Sequence, residues 1–159
     1  MTISVRRATT NDADAIAKIH REAFPRQMHS ESWVDATLAA APRILSYVLT
    51  DKAEIAGYAF WAQKAGMRAS AVMELEQIAV LSKLRGQGYG EHLIRESLAL
   101  LGEELRTSGQ SLKSVLVSTR DDNRAQHLYR RVLGARVVAK VENLYSSTEV
   151  LMLAEVGGA

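Results

Sequence analysis

The sequence contains no cysteine, and this absence excludes three kinds of chemistry. Without thiols the chain forms no disulfide, offers no thiolate ligand to zinc and has no thiol nucleophile. A chain without cysteine is typical of a reducing compartment, so we expect a cytoplasmic protein. The four histidines show no metal-ligand spacing and suggest no Ser/His/Asp set, so we expect a protein without a metal.

Long apolar runs and a strong excess of one charge are also missing. No apolar run approaches the roughly 18 residues of a membrane span, and the opening residues MTISVRRATTNDADAIA lack the apolar core of a signal peptide. The net charge is only +2, which permits an anionic ligand but does not predict a surface that coats nucleic acid. We therefore expect neither a membrane nor a nucleic acid as a partner.

The chain does contain enough apolar sequence for a sizeable core. Apolar residues make up 47% of 159 residues, which is typical of a single globular domain over residues 1–159. Periodicities of two and of 3.6 residues predict the element order β-α-α-β-β-β-α-β-α-β-β. This order predicts an α/β fold with a mixed sheet and helices packed on it.

The predicted elements have boundaries set by turn and cap residues. The strands are predicted at residues 3–8, 44–50, 54–63, 71–80, 112–119, 135–141 and 149–154. The first helix follows caps at residues 9–12, and the second is capped by Ser30 or Ser32 and closed by Pro42. The third runs from Gly90 to about residue 107, and the fourth is capped by Asp121 or Asp122, runs to about Leu133 and stops at Gly134.

The glycine-rich segment LRGQGYG, residues 84–90, stands between a predicted strand and a predicted helix. Its turn exposes backbone N–H groups, the helix start adds a positive dipole end, and glycines let a phosphate approach the main chain. A dinucleotide fingerprint needs glycine where Glu91 or Leu93 stands, and a Walker loop needs a lysine that does not follow. The segment therefore predicts a pyrophosphate cradle of another kind, with Arg85 as a charged partner. A glycine-rich turn without a ligand is the alternative.

The pattern Arg85-x-x-Gly88-x-Gly90 resembles the signature of the GNAT superfamily of acyl-CoA-dependent N-acetyltransferases. The stretch LEQIAVLSKLRGQGYGEHLI at residues 75–94 is similar to that family's fourth strand, pyrophosphate loop and third helix. The stretch NRAQHLYRRVLGARVV at residues 123–138 is similar to its second familiar block, and the element order also matches. The resemblance implies a GNAT-like fold with a splayed central sheet, and direct transfer of the acetyl group of acetyl-CoA to a primary amine.

The resemblance also implies how acetyl-CoA is held. Its pyrophosphate lies on the turn, its pantetheine arm pairs with the preceding strand, and a backbone N–H near Ile78 polarises the thioester carbonyl. Asn123 is the usual side-chain contact to the arm, and Asp122 takes this place in a frame shifted by one residue. The implied acetyl-CoA contacts are Ile78, Ala79, Val80, Arg85, Gly86, Gln87, Gly88, Tyr89, Gly90, Asn123 and Tyr129.

Two carboxylates on one predicted strand are candidates for the general base. Glu74 and Glu76 are two residues apart, so they share a strand face with Ile78 and Val80. A carboxylate among apolar neighbours is expected to have a raised pKa, which suits a base. The resemblance favours Glu76 over Glu74. The alternative is that one or both pair with arginines at the end of the sheet.

A tyrosine is the candidate general acid towards the leaving CoA thiolate. Tyr129 matches the family's local pattern Arg-Ala-x-x-Leu-Tyr, and a phenol is protonated at neutral pH. Counting from Asn123 or from Gly134 places the family's tyrosine at Arg130 instead. Tyr129 is therefore predicted with a helix wound or capped one residue differently, and an aromatic core residue is the alternative.

The resemblance implies that the acceptor is the primary amine of a small molecule, of a peptide or protein N-terminus, or of a lysine. The segments at residues 23–33 and 141–154 faintly resemble the branch that acetylates protein N-termini, but Ser118 stands where an acidic residue is usual. A non-catalytic GNAT-fold module that binds acyl-CoA is the alternative function. The resemblance also allows a homodimer, but no residue in the sequence indicates the oligomeric state. Four aromatic residues either wall the acceptor site or belong to the core: Trp33, Tyr58, Phe60 and Trp61.

Overall fold

The computed structural model describes residues 2–157 and contains the predicted succession of strands and helices. The described strands are β1 (Ile3–Arg7), β2 (Ile44–Asp51), β3 (Glu54–Gln63), β4 (Ser70–Val80), β5 (Ser111–Arg120), β6 (Arg136–Val141) and β7 (Glu149–Glu155). The described α-helices are α1 (Ala13–Ala23), α2 (Ser30–Leu38), α3 (Tyr89–Thr107) and α4 (Ala125–Leu133). Within this range the strands form a mixed sheet in the order β1-β2-β3-β4-β5-β7-β6, so the predicted fold class is confirmed.

The chain divides into two compact units. The first contains Met1–Ala62 and Gln77–Leu101, and the second contains Gln63–Glu76 and Gly102–Ala159. The boundary within β4 lies between Glu76 and Gln77, so this strand contributes residues to both units. The glycine-rich segment at residues 84–90 lies in the first unit, and the carboxylates Glu74 and Glu76 lie in the second.

The core of the first unit lies between α1, α2 and the antiparallel strands β1, β2 and β3. Ile16 and Ile19 of α1 are buried at helical spacing, and they pack with Tyr58 and Phe60 of β3. Tyr58, Phe60 and Trp61 are fully buried, so they belong to the core. Trp33 differs, because 41% of its surface is exposed.

The turn before α1 is closed by a carboxylate among residues 9–12, which the sequence predicts as caps. Asp12 ends a 3-10 turn (Thr10–Asp12) and accepts a hydrogen bond from Thr9 N–H at 2.8 Å. Both terminal nitrogens of Arg6 donate to the same carboxylate at 2.8 and 2.9 Å. The Arg6 guanidinium is the main reason that the pKa of Asp12 is lowered.

The start of α2 differs from the prediction. His29 is its N-cap residue and has a left-handed backbone with φ of 56°, whereas Ser30 is the first helical residue. A cap at Ser30 or Ser32 is therefore wrong. The hydroxyl of Ser30 is instead buried against His20 Nδ1 at 2.7 Å, so a tertiary contact uses the oxygen that would cap the helix.

The second unit is built on β5, which pairs with two strands. The parallel register with β4 runs from Ser70–Ser111 to Glu74–Leu116, and the antiparallel register with β7 runs from Ser114–Glu155 to Arg120–Glu149. The outer strand β6 pairs with β7. Parallel pairing beside antiparallel pairing makes this a mixed sheet.

Helix α4 ends where predicted but begins later. Gly134 has φ of 70° and ends the helix as a left-handed cap. The prediction that Asp121 or Asp122 caps the helix is wrong, because the first helical residue is Ala125. The two carboxylates bind cations instead: Asp121 lies 3.6 Å from Lys140, and Asp122 lies 3.1 Å from an arginine of β5.

Candidate functional site

The glycine-rich segment forms an open turn between β4 and α3 in the first unit. Gly86 and Gly88 have φ values of +76° and +85°, which glycine adopts without strain. A Cβ on either glycine would meet no atom within 4 Å beyond its chain neighbours. His92 N–H donates to Gly88 O at 3.1 Å, so the earlier N–H groups of α3 have no helical acceptor. The turn has the room and the donors to hold an anion.

Contacts from α1 and β2 fix the backbone on both sides of this turn. Glu22 accepts a hydrogen bond from Ser82 N–H at 2.6 Å, and this bond is the main cause of the lowered pKa of Glu22. The Tyr89 hydroxyl donates to Asp51 Oδ2 at 3.3 Å. The turn is therefore anchored before its first glycine and at the first residue of α3.

Arg85 and Gln87 are held by main-chain carbonyls of the same segment. Arg85 Nε donates to Val80 O at 3.2 Å, and Gln87 Nε2 donates to Lys83 O at 3.2 Å. The Arg85 contact uses only Nε, so its two terminal nitrogens have further hydrogens with which to donate to an anion. The Arg85 guanidinium, the positive charge predicted for this turn, therefore lies beside the end of β4.

The end of β4 lies close to β3 because Gly57 has no side chain. A Cβ at Gly57 would lie 2.8 Å from Ala79 O, and Leu81 N–H donates to Ala56 O at 2.9 Å. Ile78 is half-buried, like Glu74 and Glu76 on the same face of β4. The strand end before the turn is therefore fixed by its neighbour as well as by the turn.

Glu74 and Glu76 share one face of β4 in the second unit. Both are half-buried, while the residues between and beside them are buried. Glu74 Oε2 lies 3.7 Å from Lys64 Nζ, so the predicted alternative of an ion pair occurs at Glu74, with a lysine in place of an arginine. The parallel pairing of β4 with β5 ends at Glu74 and Leu116, and Glu76 lies two residues beyond this last pair.

Tyr129 is the buried tyrosine of α4. Only 6% of its surface is exposed, and burial raises its pKa to about 12. The phenol therefore keeps its proton throughout the neutral range. Arg130, where counting from the flanking motif residues places the family's tyrosine, is exposed. The protonated phenol is compatible with a hydroxyl donor, and its burial agrees equally with the alternative of an aromatic core residue.

The side-chain amide of Asn123 joins the end of β5 to the start of α4. Its Nδ2 donates to Thr119 Oγ1 at 2.9 Å, and its Oδ1 accepts from Ala125 N–H at 2.9 Å. A contact to the pantetheine arm would use the second Nδ2 hydrogen. Asp122, the alternative in the shifted frame, forms its ion pair with Arg120.

Two buried polar residues, Gln77 and Glu149, have no role in the sequence motifs. Gln77 is buried on β4 directly after Glu76, and its only signal in the sequence is an amide inside an apolar strand. Glu149 is buried at the start of β7, opposite Arg120. Burial is the main cause of its raised pKa; Arg120 opposes this effect, and Asp122 adds to it.

The histidines are dispersed rather than clustered. His20 is buried, as expected for a structural histidine, and His29 and His127 are exposed. Among residues 2–157 no group of three or more His, Asp or Glu side chains is arranged to hold a metal ion. None of the helices described in that range has the length and apolar character needed to cross a membrane.

The fold and the open turn define a class of protein, namely a mixed α/β domain with an open glycine-rich turn between a strand and a helix. The sequence model of the Acetyltransferase (GNAT) family matches residues 13–135. The chain therefore belongs to the GNAT acetyltransferase family, which confirms the resemblance seen in its motifs. Family membership indicates an acyltransferase. No curated protein matches the sequence.

Solved structures with this fold have low sequence identity to the chain. Arabidopsis thaliana NAA60 in complex with acetyl-CoA has a TM-score of 0.79 at 17% identity, covering 99% of this chain and 100% of that one. The ribosomal-protein-S18-alanine N-acetyltransferase from Escherichia coli has a TM-score of 0.77 at 18% identity, with coverage of 99% and 96%. An aminoglycoside 6'-N-acetyltransferase complexed with coenzyme A has a TM-score of 0.79 at 14% identity, with coverage of 98% for both chains. At these identities the similarity establishes the fold.

Proposed function

We propose that this protein transfers the acetyl group of acetyl-CoA directly to a primary amine. The observation that carries the proposal is the open turn at Gly86 and Gly88 before α3, since a pyrophosphate needs backbone N–H groups that no side chain covers. Membership of the GNAT family supports acetyl-CoA as the ligand. The pyrophosphate then binds the N–H groups of residues 86–90 and the guanidinium of Arg85.

The pantetheine arm runs along the end of β4 in this proposal. Ile78, Ala79 and Val80 offer main-chain groups to its amides, and a backbone N–H near Ile78 donates to the thioester oxygen. A fixed donor at this atom stabilises the negative charge that develops when the carbonyl is attacked. These roles follow from the motif match, and the fixed position of the strand end beside Gly57 supports them.

Proton removal from the acceptor is assigned to Glu76. The carboxylate takes a proton from the ammonium form of the amine, directly or through water, and the neutral nitrogen then attacks the thioester carbon. The C–N bond forms, the C–S bond breaks, the electron pair of that bond leaves with the sulfur, and the attacking nitrogen releases its second proton to solvent. Glu74 is the weaker candidate because the match to the family motif favours position 76; Lys64 Nζ lies 3.7 Å from Glu74 Oε2.

The role of stabilising the leaving CoA thiolate is assigned to Tyr129. Its pKa of about 12 lies above the value of roughly 8.5 typical of a thiol, so full proton transfer to the sulfur is uphill. Tyr129 therefore stabilises the thiolate chiefly by donating a hydrogen bond, and the sulfur takes its proton from solvent when free CoA dissociates. This refines the role of general acid that the motif implies.

The acceptor class is tested with a panel of amines rather than a single compound. The panel contains peptides with N-terminal alanine or methionine, a peptide with an internal lysine and a blocked N-terminus, kanamycin and spermine. It includes peptide and aminoglycoside acceptors because structures with this fold include enzymes named for both. Formation of free CoA thiol in the presence of each amine measures transfer.

The deciding experiment begins with calorimetric titration of acetyl-CoA into the full chain, with free CoA as the comparison. We expect one-to-one binding with a Kd of about 1 μM, equivalent to roughly −8 kcal/mol. Absence of binding would contradict the pyrophosphate cradle. Binding without thiol release for any amine would instead support a non-catalytic module that binds acyl-CoA.

A further inference from the structure

A network of polar side chains links four elements inside the first unit. The Tyr58 hydroxyl donates to Gln77 Oε1 at 2.8 Å, and Trp33 Nε1 donates to the same oxygen at 3.3 Å. Gln77 Nε2 lies 3.3 Å from Gln27 Oε1, and His20 Nε2 lies 2.8 Å from it. The members of this Gln77 network are His20, Gln27, Ser30, Trp33, Tyr58 and Gln77.

The direction of every hydrogen bond in the Gln77 network follows from Trp33. An indole N–H only donates, so Gln77 must turn Oε1 towards Trp33 and Nε2 towards Gln27. Gln27 then accepts through Oε1, which requires a proton on His20 Nε2. In the neutral ring His20 Nδ1 is left as an acceptor, and the Ser30 hydroxyl donates to it. The network therefore has one consistent set of donors and acceptors.

Gln77 is the centre of this network because its amide contacts three other elements. It holds β3 through Tyr58, α2 through Trp33 and the segment between α1 and α2 through Gln27. Only 8% of its surface is exposed, and Tyr58 is fully buried, so loss of the Gln77 amide leaves the Tyr58 hydroxyl buried without this hydrogen bond and removes the tie to the exposed Trp33 and Gln27. Its removal should therefore release the α1–α2 segment from β4.

The segment that Gln77 holds presents apolar surface to solvent. Met28 is 75% exposed and Trp33 is 41% exposed, and His29 between them has a left-handed backbone with φ of 56°. Exposed apolar side chains on a backbone held in a rare conformation are typical of a binding surface. The candidate base Glu76 directly precedes Gln77 in β4, so the base and the anchor of this surface are consecutive residues.

We propose that Gln77 is a positioning residue that fixes Trp33 and residues 24–33 against β4 and so determines how tightly the acceptor amine binds. This inference rests on the proposed function. Acetyl-CoA affinity should not depend on Gln77, because the turn is held by other side chains, Glu22 and Tyr89. A loss confined to the acceptor is therefore the expected signature.

The test uses the full chain with Gln77→Met, which keeps the length of the side chain and removes its hydrogen bonds. The matched control is Gln63→Met, because Gln63 is also a buried glutamine and accepts a hydrogen bond from Gln110 at 2.6 Å. A double variant, Tyr58→Phe with Gln77→Met, removes the hydroxyl that the single change leaves without a partner. It should recover thermal stability without restoring the hold on Trp33.

The position of Trp33 is measured without any acceptor. Protein labelled with 5-fluorotryptophan gives two ¹⁹F resonances because the chain has two tryptophans, and Trp33→Phe assigns them. We expect the Trp33 resonance to shift or broaden in Gln77→Met and to stay in place in Gln63→Met. An unchanged Trp33 resonance in Gln77→Met would overturn the proposal.

The consequence for the reaction is measured with the amine of the panel that the wild type acetylates fastest. Gln77→Met should raise the KM for that amine about tenfold and change the KM for acetyl-CoA less than about twofold. The double variant should keep the raised amine KM although its Tm recovers. Equal rises in both KM values, or recovery of the amine KM together with Tm, would mean a structural role only and would overturn the proposal.

Failure of the proposed function gives a different result. A wild-type protein that acetylates no amine of the panel would overturn the transfer reaction and, with it, the acceptor role of Gln77. A wild-type protein that transfers acetyl while Gln77→Met keeps the wild-type amine KM would overturn the role of Gln77 alone. The two failures are therefore distinguished by the wild-type rate.

Discussion

Glu74 of β4 lies opposite Leu116 of β5 in the last pair of their parallel register. Glu76, two residues further along β4, lies on the same face of the strand. The two carboxylates therefore have different surroundings on one strand. Glu74 belongs to the last pair and has the Lys64 ammonium at 3.7 Å, whereas Glu76 lies two residues further along β4. The match to the family motif favours Glu76, and we therefore propose Glu76 as the base.

The first prediction compares two isosteric substitutions at these positions. Glu76→Gln should lower kcat about a hundredfold or more, because a positioned base contributes on that order to proton transfer. Glu74→Gln should lower kcat less than about tenfold, since it removes an ion pair rather than the base. Rates of thiol release at saturating acetyl-CoA measure both. A larger loss for Glu74→Gln than for Glu76→Gln would exchange the two assignments.

The second prediction separates the ligand role of the glycine turn from its backbone strain. Gly88→Ala should weaken acetyl-CoA binding at least about tenfold, because a methyl group enters the open space that the pyrophosphate needs. Gly109→Ala is the control: Gly109 has a similar φ of +74° and equally open surroundings, but it lies after α3. Both changes should cost about 1 kcal/mol of stability.

Calorimetry and thermal unfolding together decide the outcome of this comparison. If the turn is a cradle, Gly88→Ala loses affinity and Gly109→Ala does not, although both lose stability. If both variants keep the wild-type affinity, the glycines serve only the turn and the anion site lies elsewhere. The same result would count against Arg85 as the charged partner of a pyrophosphate.

Much of the fold could be predicted because its signals are local. The order of strands and helices follows from apolar periodicity, and the end of α4 follows from Gly134, whose φ of 70° suits glycine. The glycine-rich turn before α3 was also predicted, because a strand, three glycines and a helix occur consecutively. Each of these signals involves residues that are close together in the sequence.

The features that the sequence did not predict, the N-cap of α2 and the contacts of Gln77, depend on residues that are distant from each other in the sequence. Ser30 has the chemistry of a helix cap, but His20 engages its hydroxyl and His29 becomes the N-cap. Gln77 was not assigned a role because its partners Tyr58 and Trp33 lie on other elements. Propensity and spacing do not specify which tertiary partner a polar side chain finds.

The third prediction concerns Tyr129 and the leaving sulfur. Tyr129→Phe should lower kcat about a hundredfold, comparable to the loss of one donor to a developing charge. Because burial raises the pKa of Tyr129 to about 12, the wild-type kcat should not fall between about pH 8 and 10 through ionisation of this phenol. A basic limb centred near pH 10 that is absent in Tyr129→Phe would contradict this raised pKa.

The fourth prediction links Asp12 to the pH dependence of stability. The Arg6 hydrogen bonds hold the pKa of Asp12 below its ordinary value of about 3.9, and Thr9 N–H adds to the effect. A lowered folded-state pKa gives stability that is present above the unfolded pKa and is lost as the pH falls through the folded value. Asp12→Asn should therefore reduce the free energy of unfolding by about 1–2 kcal/mol at pH 7.

The advantage of the wild type over Asp12→Asn should hold from pH 7 to about pH 5 and shrink as the pH falls below the unfolded pKa of about 3.9, and urea unfolding at several pH values down to about 2 measures it. Asp14→Asn is the matched control, since Asp14 is an exposed carboxylate in the first turn of α1. It should cost only a few tenths of a kcal/mol, as expected for a charge near a helix start. A wild-type advantage that stays constant with pH would show that Asp12 contributes through the shape of its side chain rather than through its charge.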